Sequence, residues 1–229
     1  MRVALTQSRG RLEGLEGALE ALGITVVRAP LVETRPRLQP QVRRCGLLLA
    51  EFPWLLFSSC SAVEAWQALE LPLAGPRLGA VGPVTAAALE RAGARVELLG
   101  EPASAEGLAD RFIAHVSGPS AGPVGLPQGS LSSLLLSRLQ AAGLRALPLV
   151  VYETIPLAWS VDADVDAVVL ASPSAARALP GRVAYRSTLI TIGPSTSRAV
   201  RARGLVPIEA PAPSGEAILG AIGRVRGDR

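Results

Sequence analysis

The 229-residue chain contains no lysine and no asparagine, and its one histidine is His115. Without lysine there is no Schiff base and no lysine-anchored pyridoxal phosphate. A single histidine argues against a histidine-based metal cluster and against a Ser-His-Asp triad. His115 follows Phe112-Ile113-Ala114 and reads as a helix-surface residue. The two cysteines, Cys45 and Cys60, form no C-x-x-C pair and are expected to be reduced, partly buried small hydrophobes. Neither a G-x-x-x-x-G-K-[ST] loop nor a strand-placed G-x-G-x-x-G is present. The expectation is an activity with no cofactor and no metal.

Long apolar runs are missing too. Stretches such as 167–171 are far shorter than the about 20 residues that span a bilayer. The opening Met1-Arg2-Val3-Ala4-Leu5 runs straight into a strand without the charged and apolar regions of a signal peptide. A cytoplasmic location with no membrane partner is expected. The sequence pI near 10 overstates the basic character. All 23 basic residues are arginine and the net charge is only +4. So little titrates between carboxylate and guanidinium that a small excess carries the pI upward. Arginines cluster weakly, and no basic surface is interleaved with aromatics, which argues against a nucleic-acid partner.

What the chain does have is a repeat. Gly82-Pro83-Val84-Thr85 leads to Gly93, and Gly193-Pro194-Ser195-Thr196 leads to Gly204, with matching positions 111 residues apart. Each copy follows a short apolar run, Leu78 to Val81 or Leu189 to Ile192. Apolar strand, Gly-Pro turn, threonine at the helix start and glycine at its end make a βα unit with both caps written in. Two copies predict two similar domains with a cleft between them. Nearly half of the chain is hydrophobic, enough for two packed cores.

More pairs follow. Val3 to Thr6 is a strand, Leu12, Leu15, Leu19 and Leu22 form a helical stripe, and Gly23 ends it. The second half answers with Val124 to Leu126, then Leu131, Leu135, Leu139 and Ala142, then Gly143. A strand from Thr25 runs towards Glu33-Thr34-Arg35-Pro36, and Pro148 to Val151 runs towards Glu153-Thr154-Ile155-Pro156, 120 residues on. Trp54-Leu55-Leu56-Phe57 and Ala167-Val168-Val169-Leu170 are strands that reach helices through Ser59-Cys60-Ser61 and Ser172-Pro173-Ser174. Strands Arg95 to Leu99 and Val206 to Glu209 precede the Pro-Ser loops at Pro102-Ala103-Ser104 and Pro213-Ser214. Residues 117–123, rich in Gly, Pro and Ser, separate the repeats. Alternating strands and helices predict parallel α/β sheets.

In such sheets ligands bind beyond the carboxyl ends of the strands, against helix N-termini. Ser59, Ser61, Thr85, Ser172, Ser174 and Thr196 all fall there. Their hydroxyls and the neighbouring amides suit an anionic ligand, because the helix dipole is positive at that end. Each also reads as a plain helix cap, worth about 1 kcal/mol. Capping and ligand binding are compatible.

On these motifs the chain resembles the uroporphyrinogen-III synthase family. The resemblance spans nearly the whole sequence: the F-[ST]-S-x-x-A-V turn at Phe57 to Val63, V-G-x-x-T-A at Val81 to Ala86, V-Y-x-T at Val151 to Thr154, S-P-S at Ser172 to Ser174, and I-G-P-x-T at Ile192 to Thr196. It implies two flavodoxin-like α/β domains joined by a two-stranded linker. Residues 1–33 with 157–229 would form one domain and 37–150 the other, with 34–36 and 151–156 as paired linker strands. It further implies cyclisation of hydroxymethylbilane, a linear tetrapyrrole with eight carboxylates, to uroporphyrinogen III. Loss of the substrate hydroxyl gives an azafulvene, a spiro intermediate follows, and reclosure inverts ring D. Such an enzyme has mainly to fold its substrate and protect reactive cations.

By the same resemblance Tyr152, in V-Y-x-T, assists departure of the hydroxyl, which a phenol can do as a hydrogen-bond donor. The tyrosine also reads as a linker residue packing on a domain. Ser59, Ser61, Thr85, Ser172, Ser174 and Thr196 carry over as substrate-facing positions, and Gly129 sits where a strand-end loop would approach the ligand. Relatives have Thr-Arg-Pro after the first strand, where this chain has Thr6-Gln7-Ser8-Arg9. Arg9 and Arg35 are the arginine candidates for the carboxylates, and each also reads as a surface charge. A monomer hinged at the paired strands is expected, compatible with transient contact with hydroxymethylbilane synthase. The rival reading is a non-catalytic two-domain protein that closes on an anionic small molecule. A nucleotide-binding flavodoxin-like protein is a third, weakened by the missing phosphate loop.

Overall fold

The computed structural model describes residues 1–7, 14–116, 122–212 and 214–227, with side chains described up to residue 223. Arg9, Leu12, Pro213 and most of the 117–123 loop lie outside the described residues. In chain order the elements begin with β1 (Arg2–Leu5), α1 (Leu15–Ala21), β2 (Thr25–Arg28), β3 (Val32–Pro36), α2 (Pro40–Leu49), β4 (Trp54–Phe57) and α3 (Cys60–Ala68). The middle of the chain forms β5 (Arg77–Ala80), α4 (Pro83–Arg91), β6 (Val96–Leu99), α5 (Ala105–His115), β7 (Val124–Gly129), α6 (Leu134–Ala141) and β8 (Ala146–Pro156). The remainder is β9 (Ala167–Leu170), α7 (Pro173–Ala178), α8 (Gly181–Ala184), β10 (Thr188–Thr191), α9 (Pro194–Arg201), β11 (Pro207–Glu209) and α10 (Gly215–Gly227).

Two compact units result. One is discontinuous, Met1–Glu33 with Ile155–Arg229, and the other is central, Thr34–Thr154. The discontinuous unit holds a five-stranded sheet in the order β11-β10-β9-β1-β2. The central sheet has six strands in the order β3-β8-β7-β4-β5-β6. Parallel pairs link β1 with β2 and β9, and β10 with β9 and β11. Likewise β4 is parallel to β5 and β7, β5 to β6, and β7 to β8. Only β3 departs. The Arg37 amide donates to the Val151 carbonyl and the Leu157 amide to the Leu31 carbonyl, each at 2.8 Å, so β3 and β8 run in opposite directions.

The two sheets have the same order once β6, β5, β4, β7 and β8 are set against β11, β10, β9, β1 and β2. Each sheet therefore draws strands from both sequence repeats: β1 and β2 join β9, β10 and β11 in one, and β7 and β8 join β3, β4, β5 and β6 in the other. The repeats do not fold as tandem copies; they exchange their opening strand-helix-strand pieces.

Within each unit the central strands are covered on both faces, as parallel sheets require. Along β4, Leu55 and Phe57 join one core cluster while Trp54 and Leu56 join another. Along β9, Ala167 and Val169 face one cluster and Val168 and Leu170 the other. In the central unit Phe57 and Trp66 meet edge to face at 5.9 Å, and Trp54 and Phe112 at 5.2 Å. The helix-ending glycines appear where the repeat placed them, with φ of +72° at Gly23, +81° at Gly93, +76° at Gly143 and +73° at Gly204.

Some local expectations are corrected. Leu22 and Leu131 match the helical period yet lie just outside α1 and α6 and are exposed. Ala142 is likewise the exposed cap of α6 and not part of its buried stripe. Val206 stands 90% exposed, one residue before β11. Cys45 is exposed on α2 and Cys60 is half-buried, so only Cys60 fits the expected small buried hydrophobe.

Candidate active site

In a doubly wound sheet the crevice opens where the strand connections reverse direction. In the central unit that place lies between β4 and β7, whose carboxyl ends carry Ser59 and Gly129. Ser59 caps α3, and its Oγ accepts the Ala62 amide at 3.2 Å. The same oxygen lies 3.1 Å from Tyr152 Oη, which comes from β8.

A local irregularity aims Tyr152. In the β7–β8 pairing Gln128 is opposite Val150 but Gly129 is opposite Tyr152, so Val151 is the extra residue of a bulge. Alternation would put Val151 and Tyr152 on opposite faces. The bulge suspends it. Val151 is fully buried, Tyr152 is 8% exposed, and both belong to the core cluster that Leu149 also touches. The ring then lies on bare glycine backbone: a Cβ on Gly129 would come within 2.5 Å of Tyr152 Cζ and 2.7 Å of its Oη. The Ser130 amide donates to the Tyr152 carbonyl at 3.1 Å, holding the following turn to β8.

Around this pair stand the other central-unit candidates. Ser61 is buried in the first turn of α3. Thr85 lies in the first turn of α4, 3% exposed, with its Oγ1 3.7 Å from Cys60 Sγ. The N-cap of α4 is Gly82 with Pro83 following, so Thr85 is no cap. Prolines at the first helical position remove one donor, and the next amides, of Val84 and Thr85, have no intrahelical acceptor. Gln128, which the sequence reading passes over, is 6% exposed and donates from Nε2 to the Ser132 carbonyl at 2.7 Å, pinning the turn after Gly129. Its signal is a single long polar side chain inside an otherwise apolar strand.

The discontinuous unit builds its own version. Ser172 caps α7, its Oγ accepting the Ala175 amide at 3.1 Å, and Ser174 is half-buried in the same turn, 3.4 Å from an Arg177 Nη2 donor. Thr196 is 2% exposed in the first turn of α9, whose N-cap is Gly193. Beside it Thr191 Oγ1 and Ser197 Oγ share a hydrogen bond of 2.6 Å, both fully buried. At the matching positions of the central unit stand Ala80 and Ala86. Thr6 Oγ1 donates to the Val169 carbonyl at 2.8 Å, tying β1 to β9. The cap reading therefore holds for Ser59 and Ser172 and fails for Thr85 and Thr196. Arg35 is exposed on β3. Among the described residues no group of three or more His, Cys, Asp or Glu is placed to hold a metal ion, and no helix is long and apolar enough to cross a membrane.

Comparison with known proteins shows the family and the fold. No curated protein sequence matches the chain. The family model for uroporphyrinogen-III synthase HemD matches residues 13–220. Among solved structures, a mutant uroporphyrinogen III synthase from the extremely thermophilic bacterium Thermus thermophilus shares 23% identity over 100% of both chains with a TM-score of 0.70. The wild-type enzyme from the same bacterium, in another crystal form, shares 24% identity over 99% of this chain and 97% of its own, with a TM-score of 0.51. Uroporphyrinogen-III synthetase from Helicobacter pylori shares 18% identity over 100% of both chains with a TM-score of 0.65. The structural likenesses establish the α/β fold, and the family model, covering most of the sequence, establishes the lineage. The chain belongs to the uroporphyrinogen-III synthase family, lyases of tetrapyrrole biosynthesis that cyclise hydroxymethylbilane to uroporphyrinogen III.

Proposed function

We propose that Tyr152 is the proton donor that starts the cyclisation. The observation that carries this reading is its phenol, seated on Gly129 at the carboxyl end of β7 and within hydrogen-bond reach of the α3 cap. Hydroxymethylbilane must lose its hydroxyl from the methylene carbon attached to the terminal pyrrole ring. Tyr152 passes its proton to that oxygen as the C–O bond breaks, so that water leaves with the bonding pair and the pyrrole becomes an azafulvenium cation. Once the closing pyrrole carbon has formed its new C–C bond, it gives up its ring proton to the phenolate and regains aromaticity, which balances the cycle.

The substrate's carboxylates are held by strand-end groups of each unit. Ser59, through its backbone amide, Ser61, Thr85 and Gly129 belong to the central unit, and Ser172, Ser174 and Thr196 to the discontinuous one. Because Thr85 and Thr196 are buried, their contribution runs through first-turn amides of α4 and α9, where the helix dipole favours an anion. The enzyme is a cytoplasmic monomer, β3 and β8 are its hinge, and it takes its unstable substrate by transient contact with hydroxymethylbilane synthase. The support for the hinge is that the chain passes between the units only within those two strands.

The test is direct. The protein is added to freshly prepared hydroxymethylbilane, the products are oxidised and the isomers separated. Type III product is expected, whereas type I alone, as in buffer, refutes the reading. Tyr152→Phe should lower turnover roughly a hundredfold, the lower end for a lost general acid. Full turnover in that variant removes Tyr152 from the mechanism.

A further inference from the structure

We infer that Ser59 is a positioning residue that donates its hydroxyl hydrogen to Tyr152 Oη and so fixes which way the phenol's own proton points. This rests on the assignment of Tyr152 as proton donor and adds a second residue to that step.

A serine hydroxyl has one hydrogen and two acceptor sites. One acceptor site of Ser59 is taken by the Ala62 amide at 3.2 Å. Among the described residues, Tyr152 Oη at 3.1 Å is the side-chain oxygen that can take the serine hydrogen. With a lone pair of the phenol so engaged, its O–H is turned outward, available to a departing oxygen. When that proton leaves, the Ser59 donor already faces the new phenolate, and no group has to reorient. Preorganised donors of this kind stabilise charge as it develops. The Ala62 amide, at the positive end of α3, polarises the serine in the same direction.

Three features make the arrangement more than a cap with a neighbour. The β8 bulge brings Tyr152 to the Ser59 side, Gly129 leaves room for the ring, and Ser59 is held at extended φ −166° and ψ 154° by its own cap bond. The equivalent cap of the other unit, Ser172, makes the same amide bond, from Ala175. It therefore serves as a control for cap loss alone.

The chain has only two tyrosines, and Tyr185 is 77% exposed. In a Tyr185→Phe background the tyrosine Raman doublet, whose intensity ratio distinguishes a phenol that accepts a hydrogen bond from one that does not, reports Tyr152 alone. Ser59→Ala should shift that ratio away from an accepting phenol, Ser59→Thr should restore it, and Ser172→Ala should leave it unchanged. In turnover, Ser59→Ala should lower kcat about tenfold with KM changed less than about twofold, the loss expected for one bond to a developing charge. Added to Tyr152→Phe, Ser59→Ala should cause no further loss of kcat.

An unchanged doublet in Ser59→Ala overturns the inference, as do losses from Ser59→Ala and Tyr152→Phe that multiply. If Tyr152→Phe alone keeps full turnover, the donor role of Tyr152 falls, while the Raman comparison still decides whether Ser59 donates to it.

Discussion

Gly129 and Tyr152 face each other across β7 and β8 so closely that the glycine has no room for a Cβ, which would lie 2.5 Å from the tyrosine ring. The atoms it would strike are the ring's far end, close to the reacting oxygen. Gly129→Ala should therefore displace the phenol from Ser59 while leaving the other proposed substrate-facing side chains unchanged. The expected result is a loss of turnover comparable to Tyr152→Phe, with destabilisation of about 1–3 kcal/mol from overpacking, read by denaturant unfolding. Wild-type turnover in a folded Gly129→Ala protein would show that the ring can sit elsewhere and still work.

That pairing also marks where sequence reasoning stops. The repeats, their capping glycines and the strand-helix alternation are written in residue types, and they lead to two parallel sheets. The bulge is not, because a one-residue register shift between Gln128/Gly129 and Val150/Tyr152 leaves no trace in composition or period. The sequence puts Gly129 at the ligand, yet in the structure its missing side chain makes room for the tyrosine. Thr85 and Thr196 stand three residues into the repeated Gly-Pro turns, and sequence cannot tell a capping hydroxyl from one turned inward. In the structure Gly82 and Gly193 are the N-caps, so neither buried threonine caps its helix. Leu22 and Leu131 carry the helical period past the helix ends, since an apolar stripe does not announce the turn that interrupts it.

The buried Thr191–Ser197 hydroxyl pair has an apolar counterpart in the same chain, Ala80 and Ala86. Removing one hydroxyl leaves the other fully buried without its partner, at a cost of about 1–3 kcal/mol, whereas removing both costs less than the two single losses together. A double-mutant cycle on Thr191→Ala and Ser197→Ala, measured by denaturant unfolding, should show favourable coupling of at least about 0.5 kcal/mol. Simple additivity would mean that each hydroxyl has another partner.

Thr85 is buried with its Oγ1 near Cys60 Sγ, so its side chain is turned away from solvent. If α4 holds a carboxylate through its first-turn amides, Thr85→Val preserves the backbone and the volume while losing only a weak hydroxyl–thiol contact. KM for hydroxymethylbilane should then stay within about threefold of the parent, since less than about 1 kcal/mol of binding is at stake. A rise of tenfold or more would show that the hydroxyl itself turns outward to meet the substrate.

The two cysteines give a chemical map of the site. Cys45 is exposed on α2, while Cys60 is half-buried between Ser59 and Ser61, at the first position of the helix that Ser59 caps. Reactivity of a thiol follows its exposure and thiolate fraction, so a thiol reagent should modify Cys45 fast and Cys60 slowly. Uroporphyrinogen III, bound where its carboxylates meet the first turns of α3 and α4, should slow Cys60 further and leave Cys45 unaffected. Rates are separated cleanly by using Cys45→Ser and Cys60→Ser in turn. Equal protection of both thiols would mean that the product shields the molecule without occupying this site, and no protection of Cys60 would move the carboxylate contacts away from α3.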